Sequence, residues 1–336
     1  MLARLSRSAF VIAALAAPML ASWWSVAPAA QEEAAGPQSR DAIWRAIFKR
    51  PAALPEPVNP AKAALGYDLF RDTRLSGSGR ASCASCHDAS RAFTDGRATP
   101  IGPSGATLSR NAPTLYNLAW ATSFFWDGRA GSLSDQARFP ILEPSELAGD
   151  FPTIIRRLSA DDAMSARFKA AFPGSDGITE DAVLEALVAY ERTLVSPQTQ
   201  FDRWVEGDDA ALSASEKRGF DIFVGKGGCV SCHGGWRFTD DGFHDVGLPG
   251  KDIGRGAIDP EASSLPAFKT PSLREVAKTA PYMHDGSLRT LEDVMDHYAG
   301  GLIVRPSLAP TVVRDLKLSD AEEADLVAFL RTISSK

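Results

Sequence analysis

A basic balance is what this sequence most plainly lacks. Its 36 Lys and Arg are outnumbered by 42 Asp and Glu, for a formal charge of −6. A nucleic-acid binder needs a basic face to meet phosphate, so that class is set aside. Long apolar runs are also missing. The one candidate, residues 9–21, is broken by Pro18 and falls short of the roughly 20 residues that span a bilayer. Arg4 and Arg7 precede it and Ala27-Pro28-Ala29 follows it, which is the pattern of a secretory signal peptide. The reading is a leader over residues 1–29, removed on export to the periplasm, and a mature chain without a membrane span. The leader carries Arg but no acid, so the mature chain is more acidic still. Few segments alternate apolar and polar residues, which argues against a sheet protein. Histidine and cysteine are scarce, at five and four.

What is present is a duplication. Gly66-Tyr67-Asp68-Leu69-Phe70 is echoed by Gly219-Phe220-Asp221-Ile222-Phe223. The stretch from Leu187 to Leu194 (LVAYERTL) is echoed from Leu326 to Ile333 (LVAFLRTI). Each half reads as a short helix, a cysteine motif, a long irregular stretch and a closing helix. Thr179 and Ser319 stand as N-caps of the closing helices, the latter with Glu322 completing a capping box. The expected fold is mainly α: two cytochrome c-like domains with long loops, related by internal duplication. Their expected limits are 61–200 and 201–336, after an extension or linker over 30–60. Long loops in compact domains need an organiser beyond secondary structure.

All four cysteines lie in two motifs, Cys83-Ala84-Ser85-Cys86-His87 and Cys229-Val230-Ser231-Cys232-His233. This is the attachment pattern of a c-type haem. Two thiols three apart tether the two vinyl groups, and the following His reaches the iron. A zinc site pairs its Cys-x-x-Cys units much closer in sequence. A disulfide within Cys-x-x-Cys closes too small a loop to stabilise much. Two covalent haems c are therefore expected, with His87 and His233 as proximal iron ligands.

A carrier keeps both irons six-coordinate, whereas an enzyme leaves one face open beneath polar groups. No His or Met stands between His87 and Trp126, so the first haem has no local sixth ligand. Gln136, Pro140 and Glu146 follow, and a carboxylate there could move a proton between peroxide oxygens. A solvated surface Glu is the plain alternative for Glu146. For the second haem the candidates are Met295 and Tyr298. Thr290 caps a helix on which Tyr298 shares a face with Leu291, Val294 and Met295, while His297 points away and reads as a surface residue. On that spacing Tyr298 is ligand or core packing alike. His244 reads as a structural loop residue.

These motifs resemble the di-haem cytochrome c peroxidase/MauG family. The resemblance runs from about Ala64 to Thr332 and rests on Leu69-Phe70-Arg71-Asp72, Ala92-Phe93-Thr94-Asp95-Gly96-Arg97, Arg110-Asn111-Ala112-Pro113-Thr114, Phe125-Trp126-Asp127-Gly128-Arg129-Ala130, Pro271-Ser272-Leu273-Arg274 and Ala280-Pro281-Tyr282-Met283-His284-Asp285-Gly286. It implies a peroxide-reactive first haem with Gln136 and Glu146 in its distal pocket and Pro140 on the pocket wall. It implies Trp126 as the bridge between the haems. It also implies a Ca²⁺ held by Asn111, Thr279 and Pro281, oxygen donors that suit a hard cation. Typical peroxidases of the family carry a His in the loop after the first motif and a Met ligand on the second haem. Here the loop Thr99-Pro100-Ile101-Gly102-Pro103-Ser104-Gly105 has no His, and Tyr298 stands at the Met position. Both departures are those of the MauG subtype, which sets Tyr298 as the distal ligand of the second haem.

The resemblance therefore implies a periplasmic oxidoreductase that uses H₂O₂ at an open first haem and oxidises Trp residues of a partner protein, as in tryptophan tryptophylquinone formation for methylamine dehydrogenase. The connection from Asn117 to Phe125 is shorter than in MauG, which bears on the partner rather than on the haem chemistry. The alternatives are a peroxidase fed by a small cytochrome or cupredoxin, and a non-catalytic di-haem carrier.

Overall fold

The computed structural model describes residues 40–259, 266–313 and 315–336. The expected signal peptide lies outside them. Among the described residues the fold is helical: α1 (Arg40–Phe48), α2 (Pro60–Leu69), α3 (Leu133–Leu142), α4 (Phe151–Ser159), α5 (Asp162–Ala171), α6 (Glu180–Arg192), α7 (Gln200–Val205), α8 (Ala214–Val224), α9 (Leu291–Asp296) and α10 (Asp320–Thr332). The sheet content is one antiparallel pair, Phe243–His244 with Phe268–Lys269, in which Phe243 faces Lys269 and His244 faces Phe268. No described helix is long and apolar enough to cross a membrane.

The caps set the helix starts. Thr179 accepts from Ala182 N ahead of α6, and Ser319 and Glu322 exchange side-chain to backbone bonds ahead of α10. In each half the helix before the cysteine motif crosses the closing helix at a glycine. A methyl group on Gly66 of α2 would overlap the Ala186 carbonyl of α6, and one on Gly219 of α8 would overlap the Asp325 carbonyl of α10. These contacts bring backbones together at the repeated Gly-aromatic-Asp segments.

Among the described residues two large apolar cores result, beside a small third cluster of Phe124, Ala130 and Leu133. The first gathers Leu65, Leu69, Phe70, Phe93, Ile141, Ile154, Leu187 and Tyr190. The second gathers Phe201, Trp204, Phe220, Phe223, Phe238, Leu326 and Phe329. Phe48 of α1 is fully buried in that second core, with its ring 4.8 Å from Phe238 and 5.6 Å from Phe201. The segment before α2 thus belongs to the packing of the second half. Below it a buried ion pair, Arg274 to Asp202 at 2.7 Å, ties α7 to the strand-poor stretch before α9.

α9 ends at Asp296 and passes directly into a π-turn over His297–Gly301. This corrects the expectation for His297. The reckoning of 100° per residue holds for an α-helix and fails where the turn widens. His297 is 6 % exposed, and its Nε2 bonds to the Val246 carbonyl at 2.9 Å. Tyr298 faces inward as predicted.

Candidate haem cavity and active site

One cavity of about 1120 Å³ is lined by both Cys-x-x-Cys-His motifs. It exceeds the roughly 300–1,000 Å³ that holds a drug-sized ligand. Each motif folds the same way. Cys83–Ser85 and Cys229–Ser231 form single 3₁₀ turns, and the His87 and His233 amides bond back to the Cys83 and Cys229 carbonyls. The four thiols are free rather than paired in disulfides.

The two histidines are prepared for one task. His87 Nδ1 lies 2.8 Å from the Phe93 carbonyl, and His233 Nδ1 lies 2.8 Å from the Phe238 carbonyl. A carbonyl only accepts, so Nδ1 carries the proton and Nε2 keeps its lone pair. Burial pushes both pKa values down. Two neutral imidazoles, each beside two thiols in one apolar cavity, are the donor set of covalent haem. Arg110, Arg237 and Lys269 add positive charge to the walls, with Lys269 Nζ 2.7 Å from Asp241.

The first half places Gln136, Pro140 and Glu146 on the cavity wall. Gln136 Oε1 is buried with no hydrogen-bond partner, so it has a free acceptor for a small polar guest. Burial raises the Glu146 pKa, the Arg129 guanidinium works against that, and Glu143 adds to it. Arg129 is held by Asp127 at 3.0 Å and lies 3.6 Å over the Phe125 ring. Trp126 is fixed between the halves: its indole N–H donates to the Asn111 carbonyl at 2.9 Å, and its own carbonyl accepts from Lys269 N at 2.7 Å.

The second half places Tyr298 on the same wall, with Met295 buried in the second core nearby. Burial raises the Tyr298 pKa, and the Cys229 and Cys232 thiols add to it. No hydrogen bond to its hydroxyl is formed among the described residues. His244 pairs with Asp240 at 2.7 Å and lies with Cys232 in one small group of possible ligands. Of the calcium candidates, Asn111, Thr279 and Pro281 all line the cavity. Asn111 turns its amide nitrogen to the Arg97 and Ala98 carbonyls at 2.9 and 3.2 Å. With the amide turned over, its oxygen joins theirs in a neutral set that a hard cation could use.

The structure exposes a second repeat that the sequence reading missed. Phe124-Phe125-Trp126-Asp127-Gly128 and Tyr282-Met283-His284-Asp285-Gly286 form the same turn. Phe125 and Met283 both have positive φ, as do Gly128 and Gly286, and the turns close by Phe124 N to Ala130 O and Tyr282 N to Leu288 O. One constant offset carries Asn117 onto Glu275, both at φ near +63°, and the cap Ser132 onto the cap Thr290. The same offset carries Pro140 onto Tyr298 and Gln136 onto Val294. The signal lay in the sequence as an ungapped alignment from Pro113 to Pro140, hidden because its few identities, such as Pro113 with Pro271, Leu115 with Leu273, Asp127-Gly128 with Asp285-Gly286 and Leu133 with Leu291, are scattered.

A family model for di-haem cytochrome c peroxidase matches residues 60–210, and one for cytochrome c matches residues 216–334. The methylamine utilization protein MauG of Methylorubrum extorquens is 46 % identical over 302 residues, covering 88 % of this chain and 85 % of its own. The chain belongs to the di-haem cytochrome c peroxidase family. MauG of Methylophilus methylotrophus is 45 % identical, covering 86 % of this chain and 88 % of its own. Cytochrome c peroxidase Ccp of Escherichia coli is 36 % identical, over 83 % of this chain and 59 % of its own. Among solved structures, a MauG-like protein associated with microbial copper homeostasis superposes with a TM-score of 0.77 at 33 % identity, over 86 % of this chain and 93 % of that one. Family membership makes this a haem oxidoreductase and implies two haems c, in agreement with the two motifs.

Proposed function

We propose that the protein is a periplasmic MauG-like enzyme: it consumes H₂O₂ at a first haem whose distal face is open and draws two electrons from Trp residues of a partner protein. The observation that carries this reading is the Pro140–Tyr298 correspondence. Where the second half offers a phenol, the first offers a proline with no donor atom, and Gln136 replaces an apolar Val294.

Cys83, Cys86 and His87 would hold the first haem; Cys229, Cys232, His233 and Tyr298 would hold the second. When bound, these groups supply the iron that takes peroxide and the store for two oxidising equivalents. Glu146, ionised, accepts the proton of the inner peroxide oxygen and hands it to the outer one, so that the outer oxygen leaves as water. Gln136 orients the guest through its free amide oxygen. Trp126, pinned from both halves, couples the two sites. Over the cycle, H₂O₂, two protons and two electrons become two waters, and the electrons leave the partner. Tyr298, which burial keeps as a phenol, would lose its proton on binding the iron of the second site and, as phenolate, would favour its oxidised state. A Ca²⁺ at Asn111, Thr279 and Pro281 belongs to the same proposal.

Electron paramagnetic resonance of the oxidised protein tests this directly. One high-spin and one low-spin haem are expected, and Tyr298→Phe should change only the low-spin signal. Two low-spin haems would exclude the open site. An unchanged low-spin signal in Tyr298→Phe would remove Tyr298 as ligand. Because the relatives include cytochrome c peroxidases, rapid peroxide-driven oxidation of a reduced small cytochrome would move the reading to that activity.

A further inference from the structure

The proposed mechanism leaves one buried acid of the cavity unused. Glu191 sits in the last turn of α6, only 5 % exposed, and lines the same cavity as Cys83 and Glu146. Its Oε2 is buried with no hydrogen-bond partner. An ionised carboxylate there would lose its hydration without gaining a partner, which is strongly unfavourable.

The charges on the surrounding elements are engaged elsewhere. On α2, Lys62 pairs with Glu185 and Asp68 with Arg167; just after it, Arg71 lies 3.7 Å over the Tyr67 ring and reaches the Tyr190 hydroxyl at 3.5 Å. On α3, Asp135 bonds Ser132 and Arg138 pairs with Glu180 at 2.7 Å. Next to it in the chain, Arg192 pairs with Glu56 at 2.8 Å. The haem-motif loop presents Cys83, near enough for Glu191 to act on its thiol; once tethered to haem that sulfur is an uncharged thioether. Burial alone pushes the Glu191 carboxyl up to about 8. At neutral pH it is a neutral acid. Glu146 differs, because Arg129 offsets its burial. Two carboxyls in one cavity whose surroundings push their affinities for protons apart take different roles.

We propose that Glu191 is a proton store for the first haem: a carboxylic acid while that haem is reduced, which releases its proton to solvent when the haem gives up an electron. The added positive charge beside Cys83 is then balanced by a carboxylate. This rests on the first motif holding a haem, but not on how that haem meets peroxide.

The test is a potentiometric titration of the first haem in the holoprotein, followed by its absorbance, between about pH 6 and about pH 9. Because oxidation and ionisation favour one another, the wild-type midpoint should fall as pH rises, by at most about a tenfold change in the oxidised-to-reduced ratio per pH unit. Glu191→Gln should flatten that slope, and Glu191→Asp should retain part of it. In the wild type, an infrared carbonyl band of a protonated carboxyl should disappear on oxidation and shift in D₂O. An equal slope in wild type and Glu191→Gln overturns the proposal. Should Glu191→Gln fail to take up haem, a wild-type infrared difference spectrum with no redox-dependent carboxyl band overturns it as well. Glu146→Gln separates the two readings. If it still reacts normally with peroxide, the assigned role of Glu146 fails, while the Glu191 slope stands or falls independently.

Discussion

Glu146 shows how much a single environment decides. Its carboxyl must be ionised to take a proton from peroxide, yet burial raises its pKa before Arg129 draws it part of the way back. The peroxide reaction should therefore speed up as pH rises through that raised pKa. Glu146→Gln should remove this pH dependence and slow the step by about 10²- to 10⁴-fold, the usual worth of a positioned acid or base. Stopped-flow mixing with peroxide measures both; an unchanged rate would assign the proton transfer elsewhere. Arg129 acts one step back, and its hold on Asp127 and Phe125 is what fixes its distance from the acid. The two motif histidines, by contrast, are set by backbone alone. One carbonyl, of Phe93 or of Phe238, fixes each tautomer, and both carbonyls follow residues that adopt the left-handed region nearby.

At the scale of elements, the two halves stand on the glycine crossings of α2 with α6 and of α8 with α10. A methyl group at Gly219 would meet the Asp325 carbonyl and the Phe329 Cβ, and at Gly66 the Ala186 carbonyl and the Tyr190 Cβ. Backbone cannot yield as a side-chain tip can. Gly219→Ala and Gly66→Ala should each destabilise by about 1–3 kcal/mol, read as a lower Tm; a shift within error would show that the crossings can open. These crossings could be read from the sequence, because the repeated Gly-aromatic-Asp and Leu-Val-Ala segments carry them. The haem motifs and the capped helices could be read too, since each is set by local chemistry. His297 could not, because a π-turn changes the angular step between neighbours and nothing in residues 291–301 announces it. Nor could the docking of α1, since Phe48 finds its partners Phe201 and Phe238 only through tertiary packing. The match of Pro140 to Tyr298 was visible in principle, but only through aligned turns whose residues look like ordinary loop.

The molecule as a whole joins its halves through a polar seam built around Trp126. Arg110 forks onto Asp252 at 2.7 and 2.9 Å and also holds Asp127. Arg255 reaches the Asp127 and Gly128 carbonyls at 3.3 and 3.1 Å. Asn111 N bonds the His284 carbonyl at 2.7 Å. The turns of the two halves therefore grip each other around Trp126. Each of these pairs takes one charge of either sign, so the chain keeps its acidic excess, −6 over the full sequence and larger once the leader with Arg4 and Arg7 is removed. A field of that sign should speed the approach of a basic redox partner and retard an acidic one. Salt screens such steering, with a Debye length of about 8 Å at about 0.15 M ionic strength. The second-order rate of electron transfer from a basic partner should thus fall by about tenfold between about 0.01 M and about 0.15 M salt, while the first-order step inside the preformed complex stays constant, because Trp126 and its seam are internal. Rates measured against ionic strength in both regimes separate these outcomes. A salt-independent second-order rate would mean that apolar contact rather than the acidic surface selects the partner.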